Sequence, residues 1–199
     1  MFERRRMDSS AQHRFGRFLL KSIGLCFAGT LLLFSYTAAQ TLVLISTEVS
    51  FVSEAPLELI KASNKQITGA IDMNNRSFLI NVKTTGFKGF NSPLQQDHFM
   101  ENYLEAEKYP KSVFSGKLID SFDPKVPGHY EIRVKGMLDI HGVKRERIIK
   151  TSIEVRPDLS IYFESGFTVL LDEHNILIPK IVHQKIAEEI RIEVKGKLQ

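Results

Sequence analysis

The stretch Tyr130-Glu-Ile-Arg-Val-Lys-Gly-Met-Leu-Asp-Ile140 decides the fold. Apolar or small residues take every second position (Tyr130, Ile132, Val134, Gly136, Leu138, Ile140), with Glu131, Arg133, Lys135 and Asp139 between them. Successive side chains of a strand point to opposite faces, so this spacing buries one face and wets the other. The alternation recurs in Ile149, Thr151, Ile153 and Val155, then in Ile161, Phe163, Ser165, Phe167, Val169 and Leu171, and again in Ile190, Ile192 and Val194. Further strands are predicted over residues 48–53, 66–72, 77–85 and 113–122. Turn signals separate them at Asn74-Asn75, Pro124, Pro127-Gly128, His141-Gly142 and Pro157-Asp158. The reading is all-β and antiparallel, with about eight strands. Strands of ten or more residues favour a closed eight-stranded barrel. A two-sheet sandwich is the alternative, because alternation alone does not separate closure from stacking.

Three short helices are expected between the strands. Pro56 suits the first turn of a helix over residues 57–62, ended by Asn64. Ser92-Pro93-Leu94-Gln95 reads as a capping box opening a helix over residues 94–106. Phe99 and Tyr103 share one face of it, with Met100 and Leu104 beside them, and Pro110 sets its latest end. Residues 180–187 follow helical spacing as a third.

The 199 residues carry a formal charge of +4, and all of it belongs to the first 39. There Arg4, Arg5, Arg6, Arg14, Arg17 and Lys21 outnumber Glu3 and Asp8. The remainder is neutral, which gives no reason to seek a phosphate backbone, so no nucleic-acid partner is expected. The apolar run from Ile23 to Phe34 follows the basic residues, and Thr37-Ala38-Ala39 offers small residues for cleavage before Gln40. Twelve helical residues rise about 18 Å, short of the roughly 30 Å of a bilayer core. Residues 1–39 are therefore expected to be a secretory signal peptide, with a barrel domain over residues 40–199 in the periplasm or outside the cell. An uncleaved anchor is the alternative. Cys26, the only cysteine, lies inside the apolar run, so disulfides and cysteine-built metal sites are excluded from the domain.

Catalytic patterns are missing. The five histidines after the leader (His98, His129, His141, His174, His183) form no close chelating pair. His98 and Glu101 lie one helical turn apart and read as a surface pair. There is no nucleophile elbow, phosphate-cradling loop or dinucleotide fingerprint. Asp172-Glu173 and Glu188-Glu189 read as turn or surface charges, and Lys144-Arg145-Glu146-Arg147 as a solvated strand face. No enzyme activity, cofactor or metal is expected. What stands out is 14 Phe against no Trp, many on inward positions, among them Phe51, Phe78, Phe99, Phe114, Phe163 and Phe167. An eight-stranded barrel either fills its interior with such side chains or holds one small ligand.

Four motifs resemble the YceI-like family of exported, lipocalin-like, lipid-binding proteins. They are Thr47-Glu-Val-Ser-Phe51, the segment from His98-Phe99 through Tyr109-Pro110 to Phe114-Ser-Gly116, Gly136-Met-Leu-Asp-Ile-His-Gly-Val-Lys144, and Phe167-Thr-Val-Leu-Leu-Asp-Glu-His-Asn-Ile176. The resemblance spans residues 41–198 in order. It implies a lipocalin-like antiparallel eight-stranded barrel whose cavity takes a polyisoprenoid or related lipid tail. Two features depart from the family pattern: the opening strand has no Trp, and a small helix is expected soon after Phe51.

The expected function is sequestration or carriage of a long apolar molecule (a polyisoprenoid, quinone or fatty acyl chain), with membrane contact at most transient. The alternative is a filled barrel acting as a cell-envelope interaction or stress-related module. The expected ligand-facing residues are Phe78, Ile80, Val82, Ile132, Val134, Leu138, Phe163, Phe167 and Val169 on strands, with Phe99 and Tyr103 closing one side.

Overall fold

The computed structural model describes residues 40–199, and the expected signal peptide over residues 1–39 lies outside them. β1 (Thr41–Glu54), β2 (Leu59–Asn64), β3 (Ile67–Asp72) and β4 (Ser77–Lys83) come first. The short helix α1 (Pro93–His98) and one wide helical turn (Phe99–Tyr103) follow. β5 (Lys111–Leu118), β6 (Gly128–Ile140), β7 (Val143–Val155), β8 (Ile161–Leu170) and β9 (Glu189–Leu198) complete the chain.

Each strand from β3 to β8 pairs antiparallel with its successor, and β9 returns to pair with β1. β2 and β3 both lie against the other edge of β1. Val49 faces Asn64 and Val43 faces Ala70, so the two segments keep a single register along β1 and act as halves of one strand. The barrel therefore closes with eight strands, as the strand lengths favoured over a sandwich. At the break between the halves, the buried Asn64 side chain takes up the loose backbone groups. Its Nδ2 donates to the Lys83 carbonyl at 2.7 Å, and its Oδ1 accepts from the Gln66 N–H at 2.7 Å.

Three expected helices are corrected. Pro56 opens no helix: Ala55 and Glu58 exchange backbone hydrogen bonds of 3.0 and 3.3 Å, which makes residues 55–58 a tight turn. The chain then returns as β2, with Ile60 opposite Ser53 and Ala62 opposite Phe51. The open edge of β1 offers residues 59–64 ladder partners, where a helix of six residues would leave most of its backbone groups unpaired at its ends. The family departure built on that helix disappears with it. The capped helix is real but short, because α1 ends at His98 and the chain widens into the single turn Phe99–Tyr103. Of the third, only one turn forms, Lys180–Val182. β1 starts seven residues earlier than expected, at Thr41, and β5 ends at Leu118, leaving Phe122 buried in the following loop.

One residue sets the parity of β1. Leu42 and Leu44 point inward, then Thr47, Val49, Phe51 and Ser53 do, so the inward set moves from even to odd positions. The change falls at Ser46, whose φ is +48° and where the ladder to β9 slips between Ile45 and Glu48. This is a β-bulge, one extra residue on one strand of a pair.

The interior divides along the barrel axis. At one end Leu42, Leu118, Phe122, Ile132, Ile153, Val155, Ile161 and Leu198 form a packed plug. At the other, Val49, Phe51, Ile60, Ala62, Phe87 and Ile190 gather beneath α1 and the turn after it. Between β5 and β6, Gly116 faces Gly136; a Cβ on Gly116 would lie 2.4 Å from the Gly136 Cα and 2.1 Å from the Lys135 carbonyl oxygen. The strands can pack this closely only because neither residue has a side chain. β6 and β7 join through His141-Gly142, both with positive φ (+54° and +73°), a two-residue turn whose twist matches the strands.

The wall has one seam. β7 pairs with β8 only over Thr151–Val155, so residues 143–150 of β7 have no β8 partner. The turn Asp172–His174 fills that gap. Arg145 Nε donates to the Glu173 carbonyl at 2.7 Å, Arg147 pairs with the Glu173 carboxylate, and His174 Nδ1 donates to the Val143 carbonyl at 3.0 Å. The residues read from sequence as surface charges thus close the barrel wall.

Candidate functional site

Two cavities lie in line inside the barrel and share no lining residue. The deeper one has a volume of ≈ 80 Å³ and rests on the packed plug. Its wall includes Phe78, Ile80, Ile132, Val134, Phe163 and Phe167, with Thr151 and Ser165 as its polar members. Those two hydroxyls are bonded to each other at 2.8 Å, so they spend their polarity locally.

The outer cavity has a volume of ≈ 460 Å³, within the usual range for small-molecule pockets. Strand ends form its floor and sides: Phe51 and Ser53 of β1, Ile60 of β2, Val169 of β8, Ile190 and Ile192 of β9. The segment from Phe87 to Leu104 forms one cover and residues 171–186 the other. Ser92 caps α1 by accepting from the Gln95 N–H at 3.1 Å, while Gln95 Oε1 accepts from the Asn91 N–H at 3.0 Å. This fixes the entry of the first cover. Its anchor is an aromatic cluster: Phe99 lies 4.9 Å from Phe90, 5.3 Å from Phe51 and 5.5 Å from Phe87, centroid to centroid.

Polar groups are the minority of its lining. Glu58 accepts from Gln95 Nε2 at 2.8 Å and from Asn91 Nδ2 at 3.3 Å, which joins the β1–β2 turn to α1. Ser53 Oγ, almost fully buried, accepts from the Ala187 N–H at 3.0 Å. Burial raises the Tyr103 hydroxyl pKa, so this group faces the cavity neutral at any physiological pH.

The eleven residues expected to face a ligand divide between these spaces. Phe78, Ile80, Ile132, Val134, Phe163 and Phe167 line the deeper cavity, and Phe99, Tyr103 and Val169 line the outer one. Val82 packs with the cluster beneath α1, and Leu138 is buried in the wall; neither lines a cavity. Sequence reasoning missed much of the outer cavity, including Phe87, Phe90, Ile176, Val182 and Ile186, because these lie in connections outside the strand alternation. Their one visible signal was apolar residues crowded into non-strand sequence, as in Ile176-Leu-Ile-Pro179.

A second arrangement missed by sequence ties the covers to the barrel. His141 Nδ1 lies 3.1 Å from the His174 carbonyl oxygen, and its Nε2 lies 2.6 Å from Glu105 Oε2. A carbonyl only accepts, so Nδ1 is the donor in the contact with His174. The ring also packs edge-on against Tyr109, 4.6 Å between centroids. His174 itself is fully buried, and burial lowers its pKa. With Nδ1 donating to Val143, its buried Nε2 has no partner. No group of three or more His, Cys, Asp or Glu suited to a metal ion occurs among the described residues.

Solved structures with the same barrel are known. A polyisoprenoid binding domain from Saccharophagus degradans implicated in plant cell wall breakdown superposes with a TM-score of 0.68 at 12% identity, covering 79% of this chain and 97% of that one. BcnA of Burkholderia cenocepacia gives 0.63 at 14% identity, covering 77% and 96%. The YCEI protein of Campylobacter jejuni gives 0.56 at 16%, covering 86% and 93%. Among curated proteins no sequence matches. At these identities the structural likeness speaks for the fold alone. The barrel, the motifs and a match to the YceI-like domain over residues 41–198 agree, and the chain belongs to the YceI-like family.

Proposed function

We propose that this protein binds a long apolar molecule, such as a polyisoprenoid, quinone or fatty acyl chain, in the outer cavity. One observation carries the reading: a cavity of ≈ 460 Å³ whose walls are largely apolar. Burying an apolar tail there yields about 25 cal/mol per Å² removed from water. With so little polar lining, shape and length select the ligand more than a headgroup does. The likeness to the Saccharophagus degradans structure, a polyisoprenoid binding domain, supports the same ligand class. Binding, and not catalysis, suits a largely apolar cavity whose one lining acid, Glu58, is engaged with Gln95 and Asn91.

The protein is proposed to work after export. The basic residues, apolar run and small residues of positions 1–39 support a cleaved signal and a mature chain beginning near Gln40. Mass spectrometry of organic extracts from the purified protein tests the binding reading. An apolar molecule in about equimolar amount is expected. Extracts free of lipid, together with no gain in melting temperature from any added chain length, would leave the filled-barrel alternative in place.

A further inference from the structure

The most exposed large apolar residues of the described chain are Ile181 (92%), Leu177 (80%), Leu57 (67%) and Leu94 (63%). All four sit at the outer cavity. Leu94 belongs to its lining; Leu57 precedes Glu58 of the lining, and Leu177 and Ile181 adjoin Ile176 and Val182. They come from three separate segments, two of which are joined by the Leu57 N–H donating to the Gln184 carbonyl at 2.8 Å. The stretch Ile176-Leu-Ile-Pro-Lys-Ile-Val-His-Gln-Lys-Ile-Ala187 is apolar on both sides. Ile176, Val182 and Ile186 face the cavity, while Leu177 and Ile181 face outward. It also holds two exposed lysines, Lys180 and Lys185, and no acid.

The geometry points to this rim as a membrane-docking surface that seats on a bilayer bearing anionic headgroups. The inference rests on the binding reading above, since a ligand with a long apolar tail resides in bilayers and must cross between bilayer and cavity. Side chains that enter the headgroup region around the mouth give that passage apolar contact on its way to the cavity. Lysines beside them match the negative potential of an anionic leaflet. Isolated exposed apolar residues are ordinary, but the four extremes gathered on three segments around one opening are not.

The test uses residues 40–199, whose barrel is closed and carries both parts of its core, with phosphatidylcholine vesicles made with and without phosphatidylglycerol. The wild type is expected to float with the phosphatidylglycerol vesicles and to bind them more weakly as salt rises. Leu177→Ser with Ile181→Ser should lower vesicle binding on the order of ten-fold, and Lys180→Gln should lower it several-fold on the anionic vesicles alone. Melting temperature and the lipid content of organic extracts should not change in either variant, because none of these side chains lines the cavity. A wild type that binds neither vesicle, or a double variant that binds as wild type does, overturns the inference. So does a wild-type dimer in light scattering that the double variant dissociates, because a second copy then covers the rim. Extracts without lipid alongside intact, variant-sensitive vesicle binding would count against the ligand reading and not against the docking surface.

Discussion

Phe51 of β1 and Phe99 of the turn after α1 stack with ring planes 17° apart and centroids 5.3 Å apart. One ring belongs to the barrel wall and the other to the cover, so this contact holds the cover down. Phe51 is buried, and Phe51→Ala should cost about 3–5 kcal/mol. Phe99 is half-buried, and Phe99→Ala should cost about 2 kcal/mol. Ser92→Ala removes the cap of α1 and should cost about 1 kcal/mol. Urea midpoints of the three variants check the order; equal, negligible changes for Phe99 and Ser92 would mean that the cover is not docked.

The two cavities should respond differently to filling. Val169→Phe places a ring in the outer cavity and should weaken binding of every tail by on the order of ten-fold. Val134→Phe places it in the deeper cavity and should affect only tails long enough to reach past Phe167. Titration with acyl chains of graded length separates these patterns. A loss in Val134→Phe that ignores chain length would show that the ligand sits deeper than proposed.

His174 predicts a pH dependence. Burial pushes its pKa below the ordinary value of 6.5, so the unfolded chain takes up a proton that the native chain refuses. Its contribution to stability is present above about pH 6.5 and is lost as pH falls toward the lowered native value. Urea midpoints measured from about pH 7.5 to about pH 5 should decline in the wild type and decline less in His174→Gln. An identical slope in both proteins would place the proton elsewhere.

Asp120 gives a second titration at lower pH. Hydrogen bonds from the Arg133 side chain and backbone N–H, at 2.8 and 2.9 Å, lower its pKa to about 2. A lowered carboxyl pKa stabilises above its unfolded value of 3.8, and that stabilisation is lost as pH falls through about 2. Carboxyl carbon shifts followed by NMR should show the Asp120 midpoint well below the ordinary aspartate value of 3.8. A midpoint near the ordinary aspartate value would mean the pair is open in solution.

The strands were legible because burial on one face leaves a period of two, and residues 128–170 carry it with few interruptions. β2 was not, since Pro56 and Leu57–Ala62 satisfy helical rules locally and only the edge of β1 decides against them. The outer cavity was largely hidden for a related reason. Its covers are connections, in which side-chain direction follows from tertiary contacts such as Phe99 on Phe51, and no spacing records those contacts. The pairing of Arg147 with Glu173 joins residues 26 apart across a seam that exists only because β7 and β8 part company.

Ser46 makes β1 behave like a message with a frameshift. On its N-terminal side the even-numbered residues face the lumen, and beyond it the odd-numbered ones do. Deleting Ser46 would restore an unbroken pleat and invert everything on one side of it. Either Leu42 and Leu44 would be turned out to water, or Val49, Phe51 and Ser53 would be. The strand is thus held to its length between Leu44 and Val49, and the φ of +48° at Ser46 restricts what can stand there. A family of related barrels could drift in sequence along β1 while the count of residues between Leu44 and Val49 stayed fixed.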